Sequence, residues 1–203
     1  MNIPHDLDEP DRNNEDLENN MTLSSSFRKE YEKALMIAAK AHEGQKDMSG
    51  NDYIYHPIAV SGYCITEKGK ITGLLHDVVE DTAVTLKDLR AEGYDEDIIT
   101  AIDCISKRKG EEITDYLKRV ATSDIAAEVK FADMRHNGMR WPEDRPKEEA
   151  YANYQKYNGR AKQLVLLVGK ERAEKLMSPE TYEWVAGTYD MPELLRRMII
   201  AGA

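Results

Sequence analysis

"ITGLLHDVVEDT", residues 71–82, sets an apolar run directly against four ionisable side chains, His76, Asp77, Glu80 and Asp81. Residues three and four apart are neighbours on a helix, so helical spacing sets His76 beside Glu80 and Asp77 beside Glu80 and Asp81. The four groups then form one patch. Three carboxylates at this spacing repel by a few tenths of a kcal/mol per pair even in solvent. Burial behind Ile71, Leu74 and Leu75 would sharpen that conflict, because a buried charge needs a partner. A divalent cation supplies one, and a solvated acidic helix face is the competing explanation.

Outward from this stretch the apolar pattern is helical almost throughout. Phe27, Tyr31, Leu35, Ala38 and His42 recur at steps of three or four. Gly44, Gly50 and Asn51 break the chain into a loop, and His56-Pro57 opens a second helix that Gly69 ends. A third helix is expected from Lys70 to about Asp81. Thr85 and Asp88 have capping-box spacing for a short helix ending near Gly93. Further helices are expected over about 95–106, 112–121, 124–139 and 147–168, the last after the turns at Trp141-Pro142 and Arg145-Pro146. Ser178-Pro179 and Asp190-Met191-Pro192 read as caps of two final helices. No alternating strand pattern, repeat or glycine-rich phosphate loop is present, so the expected fold class is all-α, a bundle of roughly eight to ten helices.

The 203 residues suit one domain with a full core. Residues 1–24 are rich in Asp, Glu and Asn without apolar period and read as a disordered acidic tail, with residues 25–203 as the folded domain. A net charge of −10 argues against wrapping nucleic acid. No apolar run is long enough to span a bilayer, and the polar start is unlike a secretory signal, so the expectation is a cytoplasmic protein with no membrane partner. Cys64 and Cys104 lie in apolar helical patterns and read as free core thiols of a reducing compartment.

Two further stretches bear on the metal reading. His56 stands in "YIYHP", residues 53–57, and Asp133 in "VKFADMRHN", residues 129–137. Imidazole and carboxylate donors together suit a first-row divalent metal that keeps open positions. Alone, His56 reads equally as a cap or a packed ring, and Asp133 as a salt-bridge partner.

Together with "AAKAHEGQ", residues 38–45, these ordered motifs resemble the hydrolase domain of the RelA/SpoT family, a branch of the HD-domain metal phosphohydrolases. The resemblance runs from about Ala34 to about Asn137. It implies hydrolysis of the 3′-pyrophosphate of the alarmones ppGpp and pppGpp, in a small stand-alone form, since no synthetase motifs follow. It also implies His56, His76, Asp77 and Asp133 as ligands of one Mn²⁺ ion, Glu80 and Asp81 as the catalytic pair that positions and deprotonates water, and Asn137 as a contact to the nucleotide sugar. Such chemistry needs a Lewis acid and a proton acceptor near neutral pH.

The chain departs from the family pattern in the loop before Tyr53. Ser49-Gly50 is kept, but a basic residue usual two positions earlier is replaced by Asp47, with Lys46 before it, and a usual proline is Asp52. A carboxylate there removes stacking and repels phosphate. The base is therefore open, with NADPH or an adenine alarmone as alternative substrates and a non-catalytic nucleotide-binding regulator as a further alternative. Lys46 and Ser49 remain candidates for substrate contact, as do Lys107 and Lys109 of the basic knot at 107–109. Tyr151 and Tyr154 occupy the place where the family sets a phosphate-contacting tyrosine. The terminal helices are candidates for a homo-oligomeric contact.

Overall fold

A computed structural model describes residues 25–142, 146–187, 193, 194 and 196. The acidic tail and the expected cap at Asp190-Met191-Pro192 lie outside them. Eleven helices follow one another: α1 (Ser25–Ala41), α2 (Tyr55–Tyr63), α3 (Glu67–Leu75), α4 (Val78–Asp81), α5 (Leu86–Ala91), α6 (Glu96–Ile105), α7 (Ile113–Val120), α8 (Asp124–Met139), α9 (Lys147–Val168), α10 (Lys170–Lys175) and α11 (Pro179–Ala186). The described residues contain no strand, only an isolated bridge between Lys46 and Asp52. None of their helices is long and apolar enough to cross a membrane.

The sequence pattern explains the centre of the bundle. Ser123 caps α8 by accepting from the Ala126 N–H, and Ala126, Ala127, Val129, Phe131, Ala132 and Met134 are all buried. A helix apolar on most sides must be surrounded, and α8 packs against α2, α3, α6, α7, α9 and α11. By contrast α6 has one apolar side, with Ile98, Ile99, Ala101, Ile102 and Ile105 buried. Two apolar clusters result. One joins α1, α3, α5 and α6 through Phe27, Ala34, Leu74, Leu75, Leu89 and Ile99. The other joins α2 and α7–α11 through Val60, Leu117, Phe131, Leu164 and Trp184.

Two expected boundaries differ. The helix begun at His56-Pro57 ends at Tyr63 instead of Gly69, because Thr66 caps a new helix there by accepting from the Gly69 N–H. Gly69 thus sits inside α3. The helix expected from Lys70 to Asp81 is interrupted at His76-Asp77, and α4 resumes at Val78. The capping box at Thr85 and Asp88 is present with both hydrogen bonds, and Ser178 caps α11 with Pro179 in its first turn.

Candidate metal centre

Three helix segments meet where the two apolar clusters join. α2 supplies His56, the end of α3 supplies His76, and α8 supplies Asp133; all three are buried. One donor atom from each lies within 4.8 Å of the others, close enough to hold one ion. Asp77 adds a carboxylate oxygen 3.0 Å from His76 Nε2 and 3.4 Å from His56 Nε2. Asp133 Oδ1 stands 3.2 Å from His56 Nε2 and 3.8 Å from His76 Nε2.

The imidazoles are oriented from behind. His76 Nδ1 lies 2.8 Å from the Gly73 carbonyl, so it donates there and Nε2 faces the cluster, with a lone pair to offer once it gives up its proton. That Nε2 is buried without a well-aligned hydrogen bond, although Asp77 is within ion-pair distance. An inward lone pair between carboxylates is the donor set that a divalent ion requires. His56 Nδ1 is 2.7 Å from His136 Nδ1. His136 can accept because burial and His56 push its pKa down to about 3, keeping the ring neutral. Binding through Nε2 of His56 therefore fits donation from its Nδ1 to His136.

The carboxylates are held as firmly. Tyr53 donates to Asp77 Oδ2 at 2.6 Å, and burial followed by the Asp77 charge raises the phenol pKa. Lys130 Nζ lies 2.7 Å from Asp133 Oδ2, and Asn137 Nδ2 donates to Asp133 Oδ1 at 2.6 Å. Burial opposes ionisation of both Asp77 and Asp133, yet His76 and His56 hold Asp77, and Lys130 holds Asp133, well below the usual carboxylate range. Burial likewise opposes a charge on His76, but Asp77 and Asp133 push it up to about 10. Without an ion, that proton neutralises the carboxylates, and a bound cation would take its place.

Glu80 lines the same cavity and accepts from the Lys107 backbone N–H at 2.5 Å. Burial, then Asp77, raises its pKa, and the same two causes raise that of Asp81. Asp81 is not part of the lining. The Lys107 turn is set by Arg119, which donates to the carbonyls of Asp103, Cys104 and Ser106 at the end of α6 and pairs with Glu111. Helix ends leave such carbonyls without partners.

The cavity brings His56, His76, Asp77, Glu80, Asp133, Asn137 and Lys107 together. Lys46, Ser49, Lys109, Tyr151 and Tyr154 are not in its lining. Lys46 pairs with Asp52 at 2.7 Å in solvent. Asp47 does not face the cavity either. Its Oδ1 accepts from the Ser49 and Asn51 N–H groups, and its Oδ2 pairs with Arg140 at 2.8 Å. The carboxylate thus closes the loop onto the end of α8, and the repulsion of phosphate expected from sequence is cancelled by Arg140. Ser49 and Lys109 are exposed, while Tyr154 is buried against Trp184 with Tyr151 stacked on it at 6.1 Å. Tyr53, Tyr116, Lys130, Tyr157 and Arg160 also line the cavity, together with the apolar Ile105, Ile113, Leu117 and Met134. Tyr157, which does line the cavity, lies one helical turn beyond Tyr154 on the same helix.

Comparison with known proteins agrees with this geometry. The chain is 41% identical over 95 residues to a guanosine-3′,5′-bis(diphosphate) 3′-pyrophosphohydrolase of Borreliella burgdorferi, covering 42% of this chain and 14% of that protein. The chain is similar to the ppGpp 3′-pyrophosphohydrolases. It is 32% identical over 126 residues to the bifunctional (p)ppGpp synthase/hydrolase SpoT of Escherichia coli, covering 54% of this chain and 18% of SpoT. A GTP pyrophosphokinase of Streptomyces coelicolor matches at 31% over 133 residues, covering 59% of this chain and 16% of that protein. The chain therefore spans less than a fifth of the length of these relatives. Among solved structures, one titled as a metazoan ortholog of SpoT that hydrolyzes ppGpp superposes with a TM-score of 0.59 at 22% identity, covering 87% of this chain and 97% of that one. The fold is shared with that protein. No family model matches the chain.

Proposed function

We propose that this chain is a metal-dependent 3′-pyrophosphohydrolase of guanosine alarmones. The observation that carries the reading is the buried His56–His76–Asp133 cluster with the Glu80 carboxylate in the same cavity. The names of the relatives support the substrate class. They include both hydrolases and pyrophosphokinases, but those names describe proteins several times longer than the matched stretch. A cluster of histidine and aspartate donors beside the Glu80 carboxylate favours hydrolysis of the two.

His56, His76, Asp77 and Asp133 would hold the ion, and mixed nitrogen and oxygen donors with room for further ligands favour Mn²⁺. When bound, the ion would supply a Lewis acid for phosphoryl oxygens and a lowered pKa for water. Glu80 then takes the proton from the attacking water, helped by burial that raises its proton affinity. Lys107 fixes the Glu80 carboxylate through its backbone N–H. Asp81, one residue on, assists Glu80 in orienting the water. Asn137 keeps Asp133 aligned and presents its remaining amide oxygen for the sugar. The two buried free thiols fit a cytoplasmic protein.

Incubating the protein with Mn²⁺ and ppGpp, ppApp or NADPH, and separating the products, tests this reading. Pyrophosphate and GDP from ppGpp are expected. Turnover of NADPH or ppApp without ppGpp would overturn the guanosine assignment, and no product from any nucleotide would overturn hydrolysis.

A further inference from the structure

From Ala150 to Lys170 the chain has no acidic residue, although the whole protein carries 38 Asp and Glu. Within that stretch Arg160 reaches the wall of the metal cavity. Its guanidinium carbon lies 5.8 Å from the centre of the Tyr157 ring, one turn earlier on α9, and Lys156 Nζ lies 4.8 Å from the same ring. Neither cation has an ion-pair partner among the described residues. Arg160 is half-buried, and a partly desolvated guanidinium without a carboxylate is costly unless an anion arrives from outside.

Of the other cavity cations one is committed and one lies at an exposed turn. Lys130 is bound to Asp133, whereas Lys107 holds Glu80 through its backbone N–H and its exposed ammonium has no ion-pair partner among the described residues. Arg160 makes no ion pair with Asp77, Glu80 or Asp133, so it stands apart from the metal cluster while sharing its cavity. Three carboxylates and three cations line that cavity, so a divalent ion makes the lining net positive even if the neighbouring Asp81 is counted with it. A locally positive cavity in a chain of net charge −10 is suited to a substrate with more than one anionic group.

We propose that Arg160, held over Tyr157, binds the phosphates of the substrate that are not cleaved, and so selects nucleotides phosphorylated at both ends of the ribose. The proposal rests on the nucleotide-hydrolase reading. The phosphoryl group under attack must lie at the metal cluster, and a guanidinium set apart from that cluster is placed for the 5′-phosphates, which it can grip with two parallel N–H donors.

The experiment compares ppGpp with guanosine 3′-diphosphate that lacks 5′-phosphates, in the Mn²⁺-loaded protein and in Arg160→Gln. The variant is expected to raise KM for ppGpp by roughly tenfold or more, the loss of a charge-assisted bond. Its KM for the 5′-hydroxyl substrate, its ion content and its melting temperature should stay unchanged. Arg160→Lys should recover part of the discrimination. An equal change with both substrates, or no change with either, would overturn the role of Arg160 while leaving the hydrolase reading intact. Failure of the unaltered protein to cleave either nucleotide would overturn both.

Discussion

Glu128 and Asp133 stand five residues apart on α8, both buried, and their surroundings give them opposite work. Glu128 accepts from neutral donors, the N–H groups of Ile65 and Thr66 at 2.6 and 2.8 Å and the Thr66 hydroxyl at 2.7 Å, with Lys70 acting on it only as a weaker nearby charge. Burial outweighs these bonds and raises its pKa. Asp133 meets a lysine and two histidines, which outweigh burial and hold its pKa down. One carboxylate closes the start of α3; the other faces the end of α3, where His76 sits. Together they fix that helix against α8 at both ends, and only the end with cationic and imidazole neighbours can exchange them for a metal ion.

This contrast can be broken in order of expected effect. His76→Ala should abolish both ion binding and turnover, because it removes an inward lone pair from the cluster. Retained turnover would show that the ion sits elsewhere. Glu80→Gln should keep the ion and lower kcat by roughly 10²–10⁴-fold, the usual contribution of a proton acceptor. Equal loss of ion content in the two variants would contradict this division.

At the other end of α3, Glu128→Ala should cost about 2 kcal/mol in denaturant unfolding, since buried donors lose their acceptor, with ion content retained. A Cβ at Gly69 would overlap the Glu128 carboxylate. Gly69→Ala should therefore destabilise the protein alone but far less in the Glu128→Ala background, a coupling that a double-mutant cycle reads directly. Additive effects would mean that α3 shifts to admit the methyl group.

The smallest effect concerns Glu111, whose pKa Arg119 holds below the ordinary value of 4.5. A carboxyl depressed on folding stabilises the protein above its unfolded pKa and loses that contribution as pH falls through the lower folded value. Glu111→Gln should thus flatten the loss of melting temperature below pH 4.5. An unchanged acid limb would show that the pair contributes nothing measurable.

Much of this was legible beforehand because local rules carry it. Crowded charges after an apolar run flagged His76 and Asp77, the family resemblance added His56 and Asp133, and helical periodicity suggested the all-α class. The capping box at Thr85 and Asp88 needs only three residues of sequence. What escaped depends on contacts between distant segments. Glu128 reads as an ordinary surface charge until the turn at Ile65-Thr66 folds over it. Asp47 looked like a lost contact to the nucleotide base, yet its carboxylate is used up by Arg140, 93 positions away. Tyr154 was favoured by its place in the chain, but packing against Trp184 buries it, and Tyr157 and Arg160 reach the cavity instead. The break at His76-Asp77 also escaped, because unbroken helical spacing fitted the pattern equally well.

The most direct test is the Mn²⁺ content of the unaltered protein, of Asp133→Asn and of Glu128→Gln after equilibration with the ion and removal of excess. The account predicts one ion per chain in the unaltered protein and in Glu128→Gln, and none in Asp133→Asn. Equal ion content in the two variants would contradict the assignment of Asp133 as a ligand and of Glu128 as architecture.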